Sequence, residues 1–201
     1  MNPPTHTLPD HLQCDGATLA LARLQPGDAQ ALADFVALLP AHDLLFLRRD
    51  ISHPKVIAAW MQSLAEGRLH SLAVRDANDP AGVLVGCTAI VVDTLSWSRH
   101  VGELRVLVAP VWRGRGLGRL LVQQCFAQAL NLGLEKLVAQ MTVDQVAAIA
   151  VFEELGFRAE ALLRDHVKDR DGQLHDLALL SHDVAAVQSR LEAYGVGDAL
   201  L

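Results

Sequence analysis

Three arginines and three glycines occur within seven residues, in the segment Arg113-Gly114-Arg115-Gly116-Leu117-Gly118-Arg119. Glycines let the backbone approach a ligand closely and adopt φ values that are closed to other residues. The arginines concentrate positive charge in a chain whose formal net charge is −6. A helix that begins in such a turn adds unpaired N–H groups and the positive end of its dipole. The segment is therefore predicted to bind an anion, and a diphosphate is the expected ligand.

Other Gly-rich turns bind nucleotides, so the context of this turn matters. A dinucleotide-binding turn follows the first strand of its domain and has an acidic residue about 20 residues further on. Here four predicted strands precede the turn. A phosphate-binding loop of the nucleotide-hydrolysing type ends in Gly-Lys-Ser/Thr, and this turn does not. A third alternative is a tight structural turn with surface arginines, but that would not by itself require three glycines at alternate positions.

Predicted elements place the turn between a strand and a helix. The strand is Val101 to Val108, and the helix runs from Gly116 to Asn131, where apolar residues recur every four positions. Further on, Asp144 is expected to cap another helix, which has apolar residues on one face and ends at Gly156.

The remaining pattern predicts one domain of the α/β (α+β) class. Two more helices are expected, one beginning at Pro26-Gly27-Asp28 and one capped by Ser52. The other predicted strands are Ala17 to Leu24, Leu69 to Arg75, Val83 to Val92, Lys136 to Met141, Ala159 to Lys168 and Leu174 to Ser181. We expect a mixed sheet with helices on its faces over residues 15–183. Residues 1–14 are predicted to be a flexible tail, and residues 184–201 a C-terminal tail with a short helix.

Composition excludes several classes of protein. The 201 residues are 51% hydrophobic, which is enough for one domain with a substantial core. The negative charge argues against nucleic-acid binding, which needs a basic face. The longest apolar run is about half the length that crosses a bilayer, and the N-terminus lacks signal-peptide features, so no membrane contact is expected. Cys14, Cys87 and Cys125 have neither disulfide nor metal-ligand spacing, so we expect no bound metal and a reducing cytoplasm as the location.

The turn and the later helix resemble the two sequence blocks of the GNAT superfamily of N-acetyltransferases. Residues Val108–Gly118 resemble its signature Arg/Gln-x-x-Gly-x-Gly/Ala, which Arg113, Gly116 and Gly118 match. Residues Asp144–Phe157, with an Ala-rich helix and a terminal Gly-Phe, resemble the second block. The separation of the blocks and the order of the elements also agree, so the resemblance covers most of the chain.

The resemblance implies an enzyme that transfers an acetyl group from acetyl-CoA to a primary amine of a small molecule or protein, directly in a ternary complex. It implies a mostly antiparallel sheet, splayed between strands 101–108 and 136–141, with acetyl-CoA in the cleft. Backbone groups of Val106, Leu107 and Val108 would pair with the pantetheine arm, and residues 113–119 would hold the pyrophosphate. Gln145 and Phe152 stand where relatives have a CoA-contacting Asn and a proton-donating Tyr. A homodimer is a candidate assembly.

Acyl transfer to an amine requires a base for the amine proton and a proton for the leaving thiolate. Phe152 cannot donate a proton, and Gln140 stands where one subfamily has its Glu base. Glu103, on the strand before the turn, is then the best candidate for the base. Its alternative role is an ion pair with Arg105 or with a charge on a neighbouring strand. His100, beside that strand, is a second candidate base.

Two functions therefore stay open. The first is an active N-acetyltransferase, and the second is a non-catalytic acyl-CoA-binding module that keeps the fold. Transfer of a longer acyl group is a third reading. Acceptor selection is expected from residues 39–53, the loop 93–100 and the final hairpin. Asp43, Asp50 and Asp93 in the first two segments either attract a cationic amine or are merely solvated.

Overall fold

A computed structural model describes residues 6–186, which contain nine strands and four α-helices. The helices are α1 (Ala29–Ala37), α2 (Pro54–Ala65), α3 (Leu117–Asn131) and α4 (Val146–Glu154). The strands are β1 (His11–Cys14), β2 (Ala17–Arg23), β3 (Leu69–His70), β4 (Leu72–Asp76), β5 (Leu84–Val91), β6 (Val101–Val108), β7 (Lys136–Thr142), β8 (Arg158–Lys168) and β9 (Leu174–Asp183). Within the described range, none of the helices has the length and apolar character needed to cross a membrane.

All these strands form one sheet. Their order is β1-β2-β4-β5-β6-β7-β9-β8, and β3 pairs with β5 beside β4. Every pairing is antiparallel except that of β6 with β7. A parallel pair needs a crossover, and α3 supplies it. The predicted mixed, mostly antiparallel sheet is confirmed.

Helices cover both faces of the sheet, as predicted. Gly86 of β5 faces α3 so closely that an added methyl group would lie 3.0 Å from Cδ1 of Leu121. Arg105 of β6 is paired with Ala89 of β5, three positions from Gly86. Because side chains alternate along a strand, Arg105 points to the opposite face. There its guanidinium lies 5.9 Å from the ring centroid of Trp60 on α2.

Strands β6 and β7 separate halfway along their length. Their pairing covers only Val101–Leu104 of β6 and Lys136–Ala139 of β7. Beyond these residues β6 remains paired with β5, and β7 remains paired with β9. The facing edges of the two strands are therefore free, and a cleft opens between them. This is the splay that the family resemblance implied.

The N-terminal boundary of the domain differs from the prediction. Residues 11–14, expected to belong to a flexible tail, form β1 and pair with β2. Leu12 and Cys14 are buried by this pairing, and the link between the strands turns at Asp15 and Gly16, whose φ angles are 48° and 77°. The two buried side chains explain the order, because a solvated tail would leave their apolar surface in water.

Two predicted helix caps are wrong. His53, not Ser52, caps α2, and its Nδ1 accepts a hydrogen bond from the backbone N–H of Lys55 at 3.2 Å. Ser52 instead donates to Asp50 at 2.6 Å. The residue before α4 is Gln145, which makes no capping hydrogen bond with its side chain. Both helices begin near the predicted residue, but the polar side chains assigned to their caps serve other partners.

Two other predicted elements change. The strand expected over Leu69 to Arg75 is divided at Ser71, whose hydroxyl donates to the carbonyl of Thr88 and whose own carbonyl accepts from Leu24 N–H at 2.9 Å. Residues 184–186 form a helical turn after β9. The rest of the predicted tail helix, 187–194, lies outside the described residues.

Candidate active site

The Gly-rich turn adopts the conformation that its glycines predict. Gly114 and Gly116 have φ angles of +70° and +88°, in the left-handed region that favours glycine. Gly116 directly precedes α3, and Gly118 lies in the first turn of that helix. The first N–H groups of α3 have no partner within the helix. The turn therefore presents backbone donors, without intervening side chains at Gly116 and Gly118, to the cleft beside it.

The cleft contains a cavity of about 690 Å³. One wall consists of Val106, Leu107 and Val108 of β6, continued by Arg113, Gly114, Gly116, Gly118 and Arg119. The opposite wall consists of Asp144, Gln145, Val146, Ala147, Ala148, Val151 and Phe152. The chain between α1 and α2 closes the cavity with Leu39, His42, Asp43 and Phe46. The structure thus brings together all the residues predicted to hold the cofactor except Arg115 and Leu117.

Those two residues face elsewhere. Leu117 is fully buried against the sheet, where its Cδ2 would lie 3.5 Å from a methyl group added at Gly86. The guanidinium of Arg115 stacks on the Trp112 ring at 4.2 Å, and its Nε lies 2.7 Å from Oδ2 of Asp15. The turn between β1 and β2 therefore holds this positive charge outside the cavity.

The other two arginines of the turn line the cavity, and both have carboxylate partners. Nη2 of Arg113 lies 2.7 Å from Oδ2 of Asp43 as an ion pair, without the alignment of a hydrogen bond. Arg113 also donates to the carbonyl of Val108 from Nε and Nη2, at 3.3 and 3.2 Å. Arg119 pairs with Glu154 of α4. These side chains are partly exposed, so a diphosphate can replace the carboxylates as their partner.

His42 contacts the wall opposite to the turn. Its Nε2 lies 2.6 Å from Oδ2 of Asp144 and 3.5 Å from the hydroxyl of Thr142. Burial acts to raise the pKa of Asp144, but hydrogen bonds from Thr142, from its own backbone and from His42 outweigh it and lower the pKa below the ordinary value. Asp144 is therefore an ionised partner for the imidazole. His42 was not predicted as a site residue, although it lies next to Asp43 in a segment expected to cover the cleft.

The hairpin formed by β8 and β9 contacts His42. The ring of His175 on β9 meets that of His42 edge to face, with centroids 5.0 Å apart. Nε2 of His175 lies 2.8 Å from Oδ2 of Asp169, and this hydrogen bond is the main reason that the pKa of Asp169 is lowered. In the hairpin turn, Arg170 lies 2.8 Å from Asp50.

The link between Arg170 and Asp50 joins the hairpin to the segment before α2. Hydrogen bonds lower the pKa of Asp50 to about 2, and the one from Ser52 has a larger effect than the one from Arg170. Arg170 also donates to the Ser52 hydroxyl at 2.7 Å. Asp50 is therefore engaged in holding two segments together.

Glu103 forms the ion pair with Arg105 that was expected as its alternative role, and a second, unexpected pair with Arg48 from the segment before α2. Its Oε1 lies 2.8 Å from Arg105 and its Oε2 lies 3.3 Å from Arg48. The side chain is 13% exposed and is not among those that line the cavity. His100, the second candidate base, precedes β6 at the end where that strand is still paired with β7. Neither candidate therefore lies in the wall of the cleft.

None of the cysteines lines the cavity. Burial raises the pKa of Cys87 to about 11 and that of Cys125 to about 12. Burial also raises the pKa of Cys14. These thiols are therefore protonated at neutral pH and are poor nucleophiles. Among residues 6–186, no group of three or more His, Cys, Asp or Glu side chains is placed to hold a metal ion.

A family sequence model and two known proteins match parts of this chain. A sequence model described as the acetyltransferase (GNAT) family matches residues 39–157. The chain is 34% identical over 98 residues to an IAA acetyltransferase of Azospirillum brasilense, covering 48% of this chain and 60% of that protein. It is 30% identical over 83 residues to the putative phosphinothricin acetyltransferase YwnH of Bacillus subtilis (strain 168), covering 41% and 50%. The chain thus spans less than two thirds of the length of either relative.

Solved structures share the fold. A spermidine N-acetyltransferase from Vibrio cholerae, described in complex with CoA and spermine, has a TM-score of 0.68 at 18% identity, covering 83% of this chain and 96% of that one. The protein yncA of Salmonella typhimurium, a putative acetyltransferase described with acetyl-CoA, has a TM-score of 0.68 at 21% identity, covering 83% and 94%. The family sequence model spans both blocks and more than half of the chain. The chain belongs to the acetyltransferase (GNAT) family.

Proposed function

We propose that this protein transfers an acetyl group from acetyl-CoA to a primary amine. The observation that carries the proposal is the opening of the cleft where β6 leaves β7, directly beside the N-terminus of α3. At the opening, Val106, Leu107 and Val108 have no strand partner on the side of β7, although the carbonyl of Val108 accepts hydrogen bonds from Arg113. Free N–H and C=O groups of a strand edge pair readily with an extended chain. The amide-containing pantetheine arm fits this edge, and the diphosphate fits the turn before α3.

The cavity suits such a ligand in its other features. Apolar residues from both walls supply contacts for the pantetheine arm, while the two guanidinium groups supply charge at one end. Gln145 lines the cavity with an amide that can donate or accept a hydrogen bond. Phe152 lines it with a ring that packs on Phe157, with centroids 4.9 Å apart. Phe152 contributes shape rather than a proton.

Direct transfer in a ternary complex is the mechanism that we favour. A covalent acetyl-enzyme needs a nucleophile at the thioester. In the described part of the chain, the cavity wall has no cysteine, serine or lysine. We therefore infer that the amine attacks the thioester itself, and holding both substrates together supplies much of the rate.

The acceptor is a primary amine of a small molecule or a protein. Such amines are cations in solution, and the carboxylates of Asp43 and Asp144 lie at the cavity wall. Their charge favours the approach of a cation. The relatives are named as acetyltransferases, one of them putative, which supports the same chemistry, but the substrates in their names differ from one another.

The competing function is a non-catalytic acyl-CoA-binding module. Two measurements on the purified protein separate the alternatives: CoA affinity by calorimetry, and release of free thiol from acetyl-CoA with a panel of primary amines. We expect CoA binding together with amine-dependent thiol release. Tight binding of CoA with thiol release no faster than background, for every amine, would assign the protein to the non-catalytic class.

Location and assembly also belong to this proposal. Three unpaired cysteines, all buried, are what a reducing cytoplasm favours. A homodimer is the assembly that we propose, and the exposed residues of the edge strand β8 offer a surface for it. Sedimentation equilibrium with and without CoA measures the assembly, and a monomer throughout the concentration range contradicts a dimer.

A further inference from the structure

The cavity wall holds five side chains that carry charge or exchange protons: His42, Asp43, Arg113, Arg119 and Asp144. Guanidinium groups remain protonated and cannot act as bases. Asp43 forms an ion pair with Arg113. Asp144 has a lowered pKa, so its carboxylate has little tendency to take up a proton. Imidazole is the remaining base, and histidine exchanges protons readily near neutral pH.

The contacts of His42 determine which ring nitrogen is available. An ionised carboxylate can only accept hydrogen bonds, so the nitrogen beside it must carry a proton. Since Nε2 lies 2.6 Å from Asp144, the neutral ring carries its proton on Nε2. We assign this tautomer from the close contact of Nε2 with a carboxylate oxygen, because two unshared lone pairs would repel at this distance. The lone pair on Nδ1 is then free to accept a proton, and Asp144 stabilises the imidazolium that results.

The position of His42 is suited to an amine that approaches the thioester. His42 contacts Thr142, the last residue of β7, on the far side of the splay from β6. Its neighbour Asp43 contacts Arg113 on the near side. The two residues therefore cross the cleft where β6 and β7 have separated. An acceptor that enters beside the pantetheine arm passes this segment.

We propose that His42 is the catalytic residue that takes the proton from the acceptor ammonium group, and that Asp144 is the residue that positions it. The proposal rests on the acetyltransferase function proposed above. The acceptor R–NH₃⁺ gives one proton to Nδ1, and its nitrogen attacks the thioester carbonyl. The C–N bond forms and the C–S bond breaks. The second amine proton goes to the thiolate of CoA, and His42 releases the first to solvent, so the products are the amide, CoA thiol and one proton.

Other charges around His42 bear on its pH dependence. Asp144 faces it from the loop before α4, and His175, bound to Asp169, faces it from β9. Asp43 and its partner Arg113 adjoin it along the chain. The carboxylates place negative charge near the ring, and the guanidinium of Arg113 places positive charge there. Substitution of Asp144 removes the nearest of these charges.

The test compares His42→Gln and Asp144→Asn with His166→Gln, a matched control at an exposed histidine on β8. In His42→Gln the amide can still donate to Asp144, but it cannot take up a proton. We expect kcat/KM for the amine at pH 7 to fall about 100-fold, since general acid–base groups contribute 10²–10⁴-fold. The loss should shrink as pH rises, because the amine then loses its proton to water. Asp144→Asn should move the acidic limb of the pH–rate profile to lower pH, because the protonated ring loses its carboxylate partner.

The outcomes separate this proposal from the proposed function. An active wild type whose rate and pH–rate profile survive His42→Gln contradicts the role of His42, while acetyl transfer stands. A wild type that releases no thiol with any amine contradicts acetyl transfer itself. Melting temperature and CoA affinity of each variant show whether it folds. An Asp144→Asn variant that loses activity with an unmoved acidic limb contradicts the positioning role.

Discussion

His42 and Asp43 are consecutive residues whose side chains bind opposite walls of the cleft. His42 contacts Asp144, before α4, and Asp43 contacts Arg113, in the turn before α3. These walls belong to the two strands that diverge at Leu104 and Ala139. The segment between α1 and α2 therefore spans the place where acetyl-CoA and the amine are proposed to meet. Asp43 therefore faces the proposed diphosphate site, and His42 faces the proposed path of the acceptor.

Arg113 is expected to contribute more to CoA binding than Arg115. A charge-assisted hydrogen bond contributes about 1.5–3 kcal/mol, so Arg113→Gln should weaken CoA binding about tenfold or more, as measured by calorimetry. Arg115→Gln should have little effect, because Asp15 and Trp112 hold Arg115 outside the cavity. Pantetheine lacks the diphosphate and serves as the control ligand. An equal loss of pantetheine and CoA affinity in Arg113→Gln would contradict the placement of the diphosphate.

Alanine substitutions at Gly118 and Gly116 are expected to affect CoA binding and stability differently. Gly118→Ala introduces no backbone strain, and its new methyl group would meet only Cγ2 of Val108 at 4.0 Å. Alanine favours a helix by up to about 1 kcal/mol over glycine, so the melting temperature of Gly118→Ala should equal or exceed that of the wild type. The methyl group enters the cavity and should weaken CoA binding. Gly116→Ala should lower both quantities, because its φ of +88° strains any side chain. Normal CoA affinity in Gly118→Ala would rule out close approach of the ligand there.

Glu103→Gln should reduce stability without removing the base. Its carboxylate is the partner of Arg105, whose side chain is only 14% exposed. We expect the unfolding free energy to fall by roughly 1–3 kcal/mol, the cost of leaving a buried polar group unsatisfied. Glu66→Gln, which breaks an exposed pair with Arg68, is the matched control and should leave stability nearly unchanged. If Glu103→Gln abolished the acidic limb of the pH–rate profile, the base would be Glu103 and not His42.

His182 should make stability depend on pH. It is buried against the rings of Phe126 and Phe157, with centroids 4.5 and 5.3 Å away. Burial lowers its pKa, although Asp183 acts in the opposite direction. The histidine therefore binds a proton more readily in the unfolded chain than in the folded protein. Above about pH 6.5 both states are unprotonated at this residue and the unfolding free energy keeps its full value, and below this pH the unfolding free energy falls.

Denaturant unfolding at pH 7.5 and pH 5 measures this dependence. His182→Leu cannot take up a proton, so its loss of stability between the two values should be smaller than that of the wild type. Burial also lowers the pKa of His70, so part of the slope should remain. His166→Gln is the control with an exposed histidine. An unchanged slope in His182→Leu would show that this ring does not resist protonation.

Local patterns predicted the parts of the site that local backbone geometry determines. The φ angles of Gly114 and Gly116 follow from steric exclusion of other residues. The strand, turn and helix from Val101 to Asn131 follow from hydrophobic periodicity and helix-end signals. These features fix the wall that is proposed to hold CoA.

Contacts between distant segments were not predictable in the same way. Nothing within a few residues of His42 indicates that Asp144 will be its partner. Likewise, Arg115 belongs to the glycine turn in sequence, yet its partner is Asp15, 100 residues earlier in the chain. Such pairs are created when helices and hairpins pack on the sheet. For that reason most residues that line the cleft beside the turn were expected there, whereas the contact between His42 and Asp144 was not.

The central claim is that an acetyl group passes from acetyl-CoA to an amine in this cleft. The most direct test follows both products of the wild-type protein with one primary amine, measuring CoA thiol by colorimetry and the N-acetylated amine by mass spectrometry. We expect the two products to accumulate in a one-to-one ratio, and Arg113→Gln to slow both equally at low acetyl-CoA concentration. Thiol release without acetylated amine, or at the same rate with and without the amine, would contradict the central claim.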